Sequence, residues 1–108
     1  MGELTAGDGA DAAVAHGTDD DGNPVVRLSG EIDLSNAQAV RSAVEPVVRR
    51  APAQVVFDLA ELDFLDSSGL AVLLAAAERV PVVLRRPKPI IQRLVESTGL
   101  TDILRIEP

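Results

Sequence analysis

Cysteine is absent from the 108-residue chain, which excludes disulfides, thiolate nucleophiles and cysteine-ligated zinc or iron–sulfur centres. Histidine occurs once, at His16, so an imidazole-rich metal centre is excluded and no cofactor is expected. Tryptophan and tyrosine are missing, and the two phenylalanines, Phe57 and Phe64, are too few to stack successive bases of a single strand. Bases are outnumbered: ten Lys and Arg against seventeen Asp and Glu leave a net charge of −7. A chain of that sign repels phosphate backbones, which argues against a nucleic-acid partner. Long apolar runs are missing too. The longest, Leu70–Ala77, has eight residues, against about 20 for a membrane-spanning helix. The N-terminus has neither the basic nor the apolar region of a secretory signal. Together these absences predict a cytoplasmic protein that engages no membrane.

What remains fits one domain, long enough to bury a core without staples. The acidity is concentrated at one end. Residues 1–22 carry six acids and no Lys or Arg, whereas the other 86 residues carry eleven acids and ten bases. Glycines among small and acidic residues predict a disordered acidic lead over 1–11, followed by a single domain over 12–108.

Along that domain, Ala12–His16 begins a strand. Asp20-Asp21-Gly22-Asn23 is a turn signal, because these residues tolerate positive φ. Val26, Leu28, Gly30 and Ile32 then alternate with Val25, Arg27, Ser29 and Glu31, a period-two pattern that completes a hairpin. Ser35, with Gln38 three residues on, reads as a capping box opening a first helix. Its stripe is Ala37, Val40, Val44, Val47 and Val48. Pro46 predicts a kink there or an early end near Val44. Gln54–Leu59 reads as a central strand, buried on both faces.

A second helix follows from Asp66-Ser67, with Leu70, Leu73, Leu74 and Ala77 on its buried face. After Pro81 comes a short strand, Val82–Arg85. A third helix begins near Pro87–Pro89, buries Ile90, Ile91, Leu94 and Val95, and ends at Gly99. Ile103–Ile106 closes the domain as a strand or extended tail. Helices alternating with strands predict an α/β fold whose sheet is largely parallel, made mixed by the opening hairpin.

The chemistry concentrates in Leu62-Asp63-Phe64-Leu65-Asp66-Ser67-Ser68-Gly69-Leu70. The segment sets two hydroxyls and a glycine at a strand-to-helix junction, where backbone N–H groups lack partners and about half a positive charge accumulates. Ser67 fits the N-cap, accepting from the N–H of Gly69 or Leu70. Two readings stand for it: a plain helix cap, or a covalent switch. A phosphate on Ser67 adds −1.5 to −2 charge at a terminus that tolerates it, and Asp63, Asp66 and Asp33 surround it with like charge.

Serine hydrolysis lacks its base, since His16 belongs to the hairpin and the segment is not a Gly-x-Ser-x-Gly elbow. Asp33, Asp58, Asp63 and Asp66 are poor acid–base candidates, because loop-edge carboxylates are ordinarily solvated or capping groups. No enzymatic activity is expected. Arg85, Arg86, Lys88 and Arg93 form a basic cluster, either a solvated face or a docking patch.

Gly30-Glu31-Ile32-Asp33, Val55–Leu59 and the Asp66-Ser67-Ser68-Gly69-Leu70 segment together resemble the STAS domain, and within it the bacterial anti-sigma factor antagonists. The resemblance covers residues 12 to 106. It implies a small mixed sheet with helices packed mainly on one side. It also implies a binding module that, unphosphorylated, engages an anti-sigma factor with serine kinase activity and frees a sigma factor for transcription. It further implies that phosphorylation of Ser67 abolishes binding and that a phosphatase restores it. The partner surface so implied comprises Asp33, Asp66, Ser67, Ser68, Gly69 and Leu70. The alternatives are a STAS scaffold without sigma-factor control, serving a lipid or anion transporter or a stress-sensing assembly, and a direct nucleotide-binding domain.

Overall fold

A computed structural model of the chain describes residues 3–6 and 12–107. In chain order its elements are β1 (Glu3–Ala6), β2 (Ala12–Thr18), β3 (Pro24–Ile32), α1 (Ala37–Arg49), β4 (Val55–Leu65), α2 (Ser67–Ala77), β5 (Val82–Arg85), α3 (Pro89–Ser97) and β6 (Leu104–Glu107). The strands form one sheet in the order β1-β2-β3-β4-β5-β6. β1–β2 and β2–β3 pair antiparallel; β3–β4, β4–β5 and β5–β6 pair parallel. Each parallel step crosses over through one helix and advances one strand in the same direction. Crossovers of one hand then set all three helices on one face. The buried stripes of α1, α2 and α3 accordingly join the inward residues of the sheet in one cluster.

Strand β1 corrects the sequence expectation at Glu3–Ala6. Where a disordered lead was expected, these residues pair with β2 from Glu3↔Ala15 to Ala6↔Ala12. An exposed sheet edge offers backbone hydrogen bonds to almost any short segment, whatever its composition. The rest of the 1–11 lead lies outside the described residues.

The β2–β3 turn is organised by Asp19. Its Oδ1 accepts from the N–H of Asp21 and of Asn23, both at 2.9 Å, and its Oδ2 from Asn23 Nδ2 at 3.2 Å. Gly22 supplies the positive φ, +85°. The hydrogen bond from the Asn23 N–H, more than any other influence, holds the Asp19 carboxyl below its ordinary value.

Helix α1 starts one residue later than the capping-box reading placed it. Asn36 is the N-cap residue, its side chain makes no capping bond, and Gln38 takes no part. Asn36 is 1% exposed and serves the preceding turn instead. Its Oδ1 accepts from the Asp33 N–H at 3.0 Å, and its Nδ2 donates to the Glu31 carbonyl at 2.9 Å. The helix does not end near Val44 but continues through Pro46 to Arg49. Burial of Val47 and Val48 beyond the proline holds the last turn against the lost backbone bond.

Strand β4 runs six residues past Leu59, to Leu65. Its register against β3 slips twice, between Arg27/Ser29 and between Gly30/Glu31, each time with an extra residue on β4. Each extra residue reverses which side chains face inward. Leu59, Leu62 and Leu65 therefore all reach the core at a spacing of three. The first irregularity is braced by Asp58, whose Oδ1 accepts from the Ala60 N–H at 3.1 Å.

On the face away from the helices, Val25, Val56 and Val83 pair across three strands. Two residues on, Arg27, Asp58, Arg85 and Glu107 form a row of alternating charge. In that row Arg85 Nε donates to Glu107 at 2.8 Å.

Asn36→Ala removes both side-chain bonds of a buried amide, and we expect a loss of about 1–3 kcal/mol in urea denaturation. Gln38→Ala should change stability by less than about 0.5 kcal/mol; equal losses would reinstate the capping box. The turn adds a pH signature. Its carboxylate-dependent stabilisation is complete above the ordinary carboxyl range and is lost as pH falls through the lowered folded value. In an NMR titration the Asp19 carboxyl should therefore have its midpoint below 3.8, and a midpoint at or above that value would contradict the turn geometry.

Candidate functional site

The parallel strands deliver their C-terminal ends, and the starts of the helices, to one edge of the sheet, where α/β folds gather their functional groups. At that edge Ile32 and Leu65 are paired neighbours, both buried. The next residue on each strand is an aspartate. The Asp66 N–H donates to the Ile32 carbonyl at 3.2 Å, which locks the β4–α2 junction to the β3–α1 turn.

Asp33 closes its own turn. Its Oδ1 accepts from the Ser35 N–H at 2.9 Å and from Ser35 Oγ at 2.6 Å. Its carbonyl accepts from the N–H groups of Asn36 and Ala37. This arrangement pushes Leu34 outward, where it is 82% exposed. Sequence reasoning passed over Leu34 and Asn36. A lone leucine between Asp33 and Ser35, outside any periodic stripe, was the available signal.

The N-cap of α2 is Asp66, not Ser67. Asp66 Oδ1 accepts from the Ser68 N–H at 2.8 Å and the Gly69 N–H at 3.2 Å, and its carbonyl accepts from the Leu70 N–H. A carboxylate caps as well as a serine hydroxyl and, being charged, also complements the positive end of the helix. Ser67 is thereby released to the first helical position, with an exposed side chain. Ser68 and Leu70 are half-buried beside it.

Gly69 is buried and offers no side chain to a partner. A Cβ there would lie 2.8 Å from Leu65 Cβ and 3.1 Å from Ile32 Cγ2. Helix α2 thus crosses the paired strand ends at a distance only glycine permits. The buried stripe of α2 is Gly69, Val72, Leu73 and Ala76, with Leu70, Leu74 and Ala77 at its margin. This close crossing rotates the helix away from the expected Leu70, Leu73, Leu74 and Ala77 stripe.

Of the other candidate residues, His16 pairs with Val26 near the start of β3, whereas Ser67 follows the end of β4. The length of the sheet separates them, so no nucleophile–base pair forms. Asp58 is buried against Arg86 on the open face. Asp63 holds Lys88, and its carboxylate raises the Lys88 ammonium above its usual value. The basic cluster therefore dissolves into ion pairs, Arg85–Glu107, Arg86–Asp58 and Lys88–Asp63, with Arg93 left over among the described residues. Ile90, expected in the core, is 58% exposed.

Gly69→Ala should lower stability by about 1–3 kcal/mol, because the obstructing Leu65 Cβ is fixed to the backbone and cannot rotate aside. Thermal unfolding measures this, and an unchanged midpoint would refute the close crossing.

Residues 13–108 match the STAS domain family. The anti-sigma-F factor antagonist RsfB of Mycobacterium tuberculosis is 40% identical over 62 residues, which are 57% of this chain and 51% of RsfB. The chain thus spans about half the length of that curated relative. The crystal structure of an anti-sigma factor antagonist from Mycobacterium paratuberculosis superposes with a TM-score of 0.74 at 36% identity, covering 97% of this chain and 91% of that one. SpoIIAA, the Bacillus cell fate determinant, shares the fold in its phosphorylated form, with a TM-score of 0.66 at 20% identity over 88% of this chain and 91% of that one. Proteins of this kind bind and regulate and are not enzymes. With its sheet order, its one-sided helices and its Asp66–Leu70 junction, the chain belongs to the STAS domain family and is a relative of the anti-sigma factor antagonists.

Proposed function

We propose that this chain is a cytoplasmic anti-sigma factor antagonist whose contact surface is the edge bearing Asp33, Leu34, Asp66, Ser67, Ser68 and Leu70. Unmodified, it binds an anti-sigma factor with serine kinase activity and so releases a sigma factor. The kinase transfers the γ-phosphoryl group of ATP to Ser67 Oγ, which loses its proton, and ADP leaves. A phosphatase reverses the modification by hydrolysis. The observation that carries this reading is the exposed Ser67 hydroxyl one residue beyond the Asp66 cap. Because both capping bonds end on Asp66, the phosphate attaches without breaking either.

The consequence is electrostatic. A group of −1.5 to −2 charge arrives next to Asp66 at a surface that must be desolvated for a partner to dock. Repulsion of partner acids and the cost of stripping water from a dianion both act on the complex, while the fold keeps its cap.

Calorimetric titration against the cognate anti-sigma factor provides the test. Ser67→Ala should bind as tightly as the unmodified protein and should not be inactivated by ATP. Ser67→Asp and the phosphorylated protein should bind at least about tenfold more weakly, with thermal midpoints close to that of the unmodified chain. Equal affinity in all four states would remove the switch and leave a STAS scaffold without this control.

A further inference from the structure

A groove next to the proposed switch residue combines an apolar floor with an arginine that, among the described residues, holds no carboxylate. Phe64, Leu65, Ile90 and Leu94 line a depression of about 440 Å³ between the end of β4 and α3, with Asp66 and Arg93 also on its wall. Phe64 and Ile90, 42% and 58% exposed, bring two of the four exposed large apolar side chains among the described residues to one groove. Arg93 differs from its neighbours in the basic cluster. Arg85, Arg86 and Lys88 each hold a carboxylate, whereas among the described residues Arg93 holds none.

We propose that this groove receives one bulky apolar side chain of the anti-sigma partner, and that a carboxylate beside that side chain pairs with Arg93. The proposal rests on the antagonist reading above and names the chemistry of its partner. An apolar occupant covers Phe64 and Ile90 and expels their water. Covering the groove also strips water from Arg93, and a complex that left this guanidinium unpaired would forfeit part of what the apolar contact gains. Charge complementarity therefore selects an occupant that brings an acid.

The groove is continuous with the proposed contact surface, because Asp66 both caps α2 and lines the groove. A phosphate on the next residue, Ser67, then meets the partner at the point where its acid approaches. It repels that carboxylate and competes with it for Arg93. This accounts for a large effect on binding from a modification that leaves the fold alone.

The experiment uses the purified full chain and the anti-sigma factor that binds its unmodified form, titrated at about 50 and 300 mM salt. Ile90→Ala, at an exposed position, should weaken binding about tenfold at both salt concentrations. Arg93→Gln should weaken it about tenfold at low salt and lose most of the salt dependence. Ile103→Ala is the control. That residue is also exposed, at 45%, but it precedes β6 at the opposite end of the sheet, and its replacement should leave affinity unchanged.

If Ser67→Asp abolishes binding while Ile90→Ala and Arg93→Gln bind like the parent, the groove proposal is wrong and the switch stands. If no state of Ser67 alters affinity while both groove variants do, the switch reading fails and the groove survives it. Sedimentation of the chain alone covers the remaining occupant. A dimer that Ile90→Ala dissociates would assign the groove to a second copy and overturn the proposal.

Discussion

At the end of β3 and β4 the Asp66 N–H reaches the Ile32 carbonyl, Ile32 and Leu65 pair, and Gly69 lies in van der Waals contact over both. That crossing sets the distance between the sheet and α2, and with it the direction in which Ser67 points. It also brings the β3–α1 turn beside the β4–α2 junction, so residues 33 and 66, far apart in sequence, begin adjacent loops. Overpacking a contact of this kind is not absorbed locally, because protein interiors are packed like crystals. A larger residue at 69 would move the helix, and everything displayed at its N-terminus would move with it.

The two register slips in β4 serve the same junction. With regular alternation after Leu59, positions 61, 63 and 65 would face the core, which would bury Glu61 and Asp63. The first slip instead turns Leu62 inward, the second returns Leu65 to the core, and Glu61, Asp63 and Phe64 are left exposed. One end of a buried central strand thereby becomes a surface. Asp58 sustains this at the first slip by accepting the Ala60 N–H, and its second oxygen takes Arg86 from the segment after β5. A carboxylate 5% exposed is tolerable in a strand because both of its oxygens are engaged.

Features that report through local pattern were legible in the sequence: the hairpin turn at Asp20–Asn23, the valine stripe of α1, the short β5, proline at the start of α3, and Gly99 with its φ of +73°. What was hidden had no local pattern. The extension of β4 beyond Leu59 was hidden because Leu59, Leu62 and Leu65 recur every three residues and break the period-two pattern of a strand. Strand β1 owes its pairing to an available edge. Ser35 and Ser67 both looked like caps, since hydroxyls at helix starts usually are. In each case a neighbouring Asn or Asp took the terminal position, and only the backbone path decides which residue that is. The burial of Asn36 followed from that same turn. At the site, the identity of the junction segment could be read directly, but not the exposed apolar neighbours Leu34, Phe64 and Ile90, whose exposure depends on how three separate elements meet.

The displacement of the cap from Ser67 to Asp66 has a physical consequence for regulation. An N-cap bond contributes about 0.5–2 kcal/mol to a helix. Were Ser67 the cap, its phosphorylation would replace the capping oxygen and alter the helix start, so regulation and stability would be coupled. With Asp66 in that role, the two N–H groups of Ser68 and Gly69 keep their acceptor in either state. The added charge can then act outward. Two unit charges 7 Å apart interact by about 0.6 kcal/mol in water and about 2.4 kcal/mol at an effective dielectric of 20. A group of nearly two charges therefore does little to the free protein, where solvent screens it, and several times more once a partner excludes that solvent. A phosphate on Ser67, as proposed, would thus be nearly silent in the isolated chain and strongly unfavourable in a complex, the asymmetry a reversible binding switch requires.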